Sequence, residues 1–64
     1  MDKGTKFRAW CQENGFTAEQ IAEKIGCSKS TVYAYYRGVR VPNRATMKRM
    51  ERELGIDARR MFWD

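Results

Sequence analysis

Apolar residues recur along this chain at the spacing of one helix face, block after block. Phe7, Trp10 and Cys11 fall at i, i+3 and i+4, and Ala18, Ile21, Ala22 and Ile25 carry the same rule on to i+7. Val32, Tyr35 and Tyr36 share a face in a third block, Met47, Met50 and Leu54 in a fourth, and Ala58, Met61 and Phe62 in a fifth. Gly15, Gly26, Gly38 and Gly55 close the first four blocks, where a helix C-terminus favours a left-handed residue. Start signals agree with these stops. Thr17 with Gln20 three residues on is a capping-box pattern, and Ser28, Asn43 and Asp57 stand where N-caps of the third, fourth and fifth helices belong. No stretch of useful length alternates with the two-residue period of a half-buried strand. The pattern predicts an all-α chain, a compact five-helix bundle whose longest connection runs over about 38–42.

Sixty-four residues suffice for one domain, expected to span 1–64, and bury only about 60% of the surface that the unfolded chain exposes. A fold of that size offers little room for a deep catalytic cleft, while small binding surfaces remain open to it. Histidine is absent, which removes the commonest general base and the commonest nitrogen ligand of zinc. Two cysteines, Cys11 and Cys27, cannot complete a structural zinc site, so neither a metal nor a cofactor is expected. They are also too few for the disulfide framework of a small secreted domain, and the polar N-terminus lacks a signal-peptide core. No apolar run approaches the roughly 20 residues that span a bilayer. The expectation is a soluble cytoplasmic protein. Thirteen Lys and Arg against eight Asp and Glu leave a net charge of +5, which favours an acidic partner, nucleic acid before an anionic membrane or an acidic protein.

The junction of the second and third helices narrows that choice. The second ends at Ile25, Gly26 and Cys27 form a tight turn, and Ser28 opens the third. Two short helices joined by a three- or four-residue turn with glycine describe a helix-turn-helix. The third, over about 29–37, is roughly 13 Å long, matched to a major groove about 12 Å wide. Charge follows the same map. Residues 27–50 hold no Asp or Glu, yet include Lys29, Arg37, Arg40, Arg44, Lys48 and Arg49. A solvated basic face would ordinarily mix both signs, so the clustering favours nucleic-acid binding.

The run TAEQIAEKIGCSKSTVYAYYRG, then Pro42 and MKRMERELGID, resembles the Xre/Cro family of helix-turn-helix regulators of bacteria and phages. Ala22, Gly26, Ser28, Val32, Gly38, Pro42 and Leu54 carry the likeness in register, and it extends over about 7–62. The resemblance implies a lambda-repressor-like five-helix fold with the third helix as reader, commonly working as a homodimer on a palindromic operator. Two positions depart from the family's pattern. Where many members have a DNA-contacting Gln at the start of helix two, this chain has Ala18; where many pair a helix-one Arg with a Glu late in the third helix, it has Cys11 and Tyr36. Because both partners of that pair are replaced, no charge is left buried alone. An apolar contact is expected there, with the Tyr36 hydroxyl reaching solvent, a phosphate or a backbone group.

The resemblance makes Lys29 and Ser30 base-reading positions. Lys29 can donate to guanine O6 and N7, and Ser30 can bond either kind of base edge. Helix capping and solvation are the plainer roles for both. Ala34, one turn along, can touch a thymine methyl or simply allow close approach, and Tyr33 points off the apolar stripe toward the groove wall or a phosphate. Thr31, Arg37, Arg40 and Arg44 are candidate phosphate contacts, with Thr17 and the amides at the start of helix two. Arg40 or Arg44 can alternatively enter a narrow minor groove. Tyr35 and Tyr36 are expected in the core and its rim, Cys11 and Cys27 as small buried hydrophobes, and Met47, Met50 and Met61 as core filler. Met61, Phe62 and Trp63 are candidates for a dimer interface, since an aromatic at the edge of a small core suits a partner surface.

These expectations amount to a sequence-specific regulator of transcription that binds double-stranded DNA, a repressor or small Cro-like protein, with no small-molecule ligand and no enzymatic activity. Activation, or plasmid or toxin–antitoxin control, would use the same fold. The competing class is a helical protein-interaction module, antirepressor or antitoxin-like, for which the sparse hydrogen bonding of Ser30 and Ala34 argues. RNA binding lacks an aromatic sheet on which to stack bases. Catalysis lacks a paired nucleophile and base.

Overall fold

A computed structural model describes residues 4–63. Five helices follow one another: α1 (Thr5–Glu13), α2 (Ala18–Ile25), α3 (Lys29–Tyr36), α4 (Arg44–Leu54) and α5 (Ala58–Trp63). The local chemistry expected of each N-terminus is present. The Thr17 hydroxyl accepts from the Gln20 amide at 3.2 Å, while the Gln20 side chain accepts from the Thr17 amide at 2.9 Å. Ser28 Oγ, Asn43 Oδ1 and Asp57 Oδ1 each accept from the amide three residues on. A cap of this kind contributes about 1 kcal/mol, a large share of the stability of helices only two or three turns long. The connection from α3 to α4 is slightly longer than expected, covering residues 37–43, because α3 ends at Tyr36 and Asn43 still lies outside α4.

Each helix turns its apolar stripe inward. Phe7, Cys11, Ile21, Val32, Met50, Ala58 and Phe62 are fully or almost fully buried, with Ala18, Ala22, Ile25, Tyr35 and Ile56 around them. An aromatic group joins three helices at the centre. Phe7 of α1 lies 5.3 Å from Phe62 of α5 and 6.5 Å from Tyr35 of α3, centroid to centroid, and Tyr35 meets Phe62 edge-on at 6.0 Å. Phe62, expected at a partner surface, is therefore a core residue with 2% of its surface exposed. The same helical stripe includes Met61, which is half-buried, while Trp63 at the end of α5 is 59% exposed. Periodicity places these residues near one face but does not say which of them reaches the centre.

Two backbone features hold α3 in place. Gly26 ends α2 at φ +72°, a conformation that costs glycine little, and a Cβ there would meet the Arg49 guanidinium at 3.3 Å. Arg49 reaches across from α4 and donates from Nε to the Lys24 carbonyl at 3.4 Å, near the carbonyl end of α2 where a cation is favoured. On the other flank, Gly4 is buried against the last turn of α3, and a Cβ added to it would collide with the Tyr35 carbonyl. Gly4 has an ordinary φ of −85°, so the requirement is space, not backbone freedom.

Candidate nucleic-acid interface

Helix α3 has two unlike sides. Val32 and Tyr35 point into the core, while Lys29, Ser30, Tyr33 and Arg37 are exposed and Ala34 is half-buried between them. Tyr33 stands 51% exposed, braced edge-on against Tyr36 at 6.0 Å. α2 is pinned to α3 by the Gly26 turn and the Ser28 cap, where Ser28 Oγ also shares a hydrogen bond of 2.9 Å with Thr31 Oγ1. The result is a short helix on a rigid turn, with polar and cationic side chains directed outward. Arg40 and Arg44, exposed on the loop after α3 and at the start of α4, extend the positive charge.

A family model described as helix-turn-helix, the Xre/Cro type, matches residues 7–60, nearly the whole chain. The chain belongs to the Xre/Cro-type helix-turn-helix family. It is thus a DNA-binding helix-turn-helix regulator. No curated protein and no solved structure matches it. Among the described residues no helix is long and apolar enough to cross a membrane.

Within this Xre/Cro-type frame the candidate residues fall into three groups. Lys29, Ser30, Tyr33 and Ala34 lie together on the outward side of α3. Arg37, Arg40 and Arg44 follow in chain order from the end of α3 to the first residue of α4. Thr17 and Thr31 are different, since both hydroxyls already take part in helix capping. Thr17 also loses its own amide to Gln20, so the amides at the head of α2 that helix geometry leaves open are those of Ala18 and Glu19. Met61 and Phe62 offer little to a partner, leaving Trp63 as the exposed member of that trio.

Cys11 is buried in the core and Tyr36 packs against it at the rim, with its ring on Phe7. The Tyr36 hydroxyl and the Cys11 thiol lie beside one another between α3 and α1, two neutral groups where a charged pair would stand in many relatives. Burial pushes the Tyr36 hydroxyl far above the ordinary tyrosine range, the neighbouring Cys11 adds to it, and the nearby Arg8 pulls weakly the other way. Burial likewise raises the Cys11 thiol. Cys27, half-buried in the turn, is also raised by burial, with Arg40 opposing. Both cysteines are unpaired thiols that stay protonated at neutral pH, which makes them poor nucleophiles. Burial likewise raises the Tyr35 hydroxyl above the ordinary tyrosine range, with the nearby Thr46 and Arg40 opposing weakly.

One cationic residue of this surface escapes a reading by chain segment. Arg8 and Gln12, on α1, face α3 across an open groove of about 660 Å³ that Ser30, Tyr33, Tyr36 and Arg37 also line. Both lie outside the acid-free stretch 27–50, so the charge map along the chain does not point to them. Their i, i+4 spacing on α1 was the available signal, but only the packing of α1 beside α3 gives it meaning.

Proposed function

We propose that this Xre/Cro-type protein is a sequence-specific regulator of transcription that acts as a homodimer on a palindromic operator, in the cytoplasm of a bacterium or phage-infected cell. The observation that carries this reading is the outward side of α3, where Lys29, Ser30 and Tyr33 are exposed beside Ala34, followed by three arginines. Lys29 and Ser30 donate to base edges in the major groove, Ala34 and the Tyr33 ring pack along them, and Arg37, Arg40 and Arg44 take phosphates. Base contacts supply the choice of sequence, phosphate contacts the register and most of the salt-dependent affinity.

A single reader helix of two turns touches few base pairs. Two copies on half-sites one helical turn apart multiply both affinity and discrimination. Trp63 supports the dimer, since it stands exposed at the wall of a groove of about 780 Å³ where Arg44, Lys48 and Arg59 alternate with Glu51 and Asp57. A surface of mixed sign suits a second copy of itself. Regulation is then by occupancy, the bound dimer excluding polymerase from the promoter.

Selection from a random pool of double-stranded DNA at near-physiological salt tests this. The expected product is an inverted repeat with half-sites about 10 base pairs apart. A lone half-site refutes the dimer and keeps the reader. Retention without any motif, fading steeply as salt rises, refutes sequence reading and leaves backbone electrostatics. No retention at all moves the function to a protein partner.

A further inference from the structure

The groove between α1 and α3 is not accounted for by the reader helix alone. Its α3 wall is Ser30, Tyr33, Tyr36 and Arg37, and its α1 wall is Arg8 and Gln12. Three of those α3 residues belong to the outward side already described. Whatever the outer face of α3 touches is therefore within reach of α1.

We propose that this groove holds a phosphodiester of the DNA strand that runs alongside α3, with Arg8 and Gln12 of α1 as its ligands opposite Arg37. The proposal rests on the reading of α3 as the helix that enters the major groove. Steric fit supplies the first argument. A helix with its side chains is about 10–12 Å across and the major groove about 12 Å wide, so the sugar-phosphate walls pass close beside an inserted helix. An element packed against the flank of α3 must then meet a backbone strand, and α1 is such an element, locked there by Gly4 on the Tyr35 carbonyl and by Phe7 against Tyr35 and Tyr36.

Charge and donor chemistry supply the second. Two arginines, one amide and three hydroxyl-bearing residues line the groove, and none of the described residues that line it is acidic. Guanidinium groups match phosphate oxygens as paired donors, and the Gln12 amide adds an uncharged one. Tyr33 and Tyr36, held edge to face, form a firm wall between the arginines rather than a cavity closed over a small molecule. An open, cationic, aromatic-walled groove suits a polymer passing through it.

The test uses the full chain on its selected operator. R8Q is expected to weaken binding by roughly eightfold at 0.1 M salt, the value of one counter-ion no longer released, and to reduce the slope of log K against log salt by about 0.9. The loss should be the same on the operator and on single-base variants of it, and R8K should restore the slope. Replacing phosphates one at a time with uncharged methylphosphonates should reveal one position that weakens the wild type and leaves R8Q unaffected. Should R8Q lower the melting temperature, R8K and the methylphosphonate scan on the wild type carry the test in the intact fold. Unchanged affinity and slope for R8Q, while the wild type still selects its operator, overturn the groove assignment and leave the α3 reading standing. A loss confined to one base pair overturns it too, by making Arg8 a reader of bases. Failure of the wild type to bind DNA at any salt sinks both readings together.

Discussion

On the proposed reading of α3, Lys29 is the side chain on which sequence discrimination turns most directly. It is exposed on the first turn of α3, and its ammonium can reach a guanine edge without disturbing the Ser28 cap beneath it. Lys29→Ala is therefore expected to cost about 1–3 kcal/mol on the selected operator and to relax the preference at one base-pair position, with the others kept. Competition binding against a panel of single-base operator variants measures this. An equal loss at every variant would make Lys29 a phosphate contact instead. Ser28 shows why such roles are separable from the chain alone: a cap is local, three residues long, and its hydroxyl lands where the pattern says. The pairing of Tyr36 with Cys11 is not local. Twenty-five positions separate them, and both are uncharged, so nothing in their spacing alone announces that they meet across two helices. The same distance in sequence hides the role of Arg49, whose place on a basic helix face gives no hint that it reaches the Lys24 carbonyl.

At the level of elements, the interface depends on how α1 sits on α3. Gly4 permits that seat because no side chain could occupy the space between its Cα and the Tyr35 carbonyl. Gly4→Ala is expected to lift the start of α1 off α3 and to destabilise the fold by about 1–3 kcal/mol, as overpacking does. In a domain of this size that is a fall in melting temperature of roughly 5–20 °C, read by far-ultraviolet circular dichroism. An unchanged melting temperature would show that the first turn of α1 contributes nothing to the packing. The order and type of the five helices were legible because amphipathic stripes, four N-caps and the αL glycines are each written within a few consecutive residues. Gly4 carries no such mark: its φ is ordinary and it precedes the first stripe, so its value exists only once α3 has come to rest on it. Depth was likewise hidden. Phe62 and Trp63 are adjacent aromatics at the end of one stripe, and only the ring contacts of Phe62 with Phe7 and Tyr35 assign one to the core and the other to the surface.

The dimensions of the molecule constrain how two copies meet on DNA. The backbone measures 26 × 20 × 19 Å, whereas half-sites one turn apart hold their centres about 34–36 Å from each other. Even with the long axes end to end, about 8–10 Å remains between the two backbones, comparable with the separation of packed helices and filled by one layer of side chains from each copy. Contact across that gap falls to groups that project, and Trp63 is the largest exposed side chain of the described surface. In the proposed dimer, so small an interface would hold free copies weakly and act chiefly once DNA had set the two side by side. Trp63→Ser is accordingly expected to leave affinity for an isolated half-site unchanged while abolishing cooperative occupancy of the inverted repeat, which gel-shift titration on the two DNAs resolves. Wild-type protein that remains one copy per DNA by light scattering, both free and on the full operator, would remove the dimer and with it any role for Trp63 between copies. Equal cooperativity in W63S would keep the dimer but move its contact elsewhere, to the Arg44, Lys48 and Glu51 side of the same groove. Salt separates those alternatives further, because a contact made by charges across the gap weakens with ionic strength while an aromatic one does not.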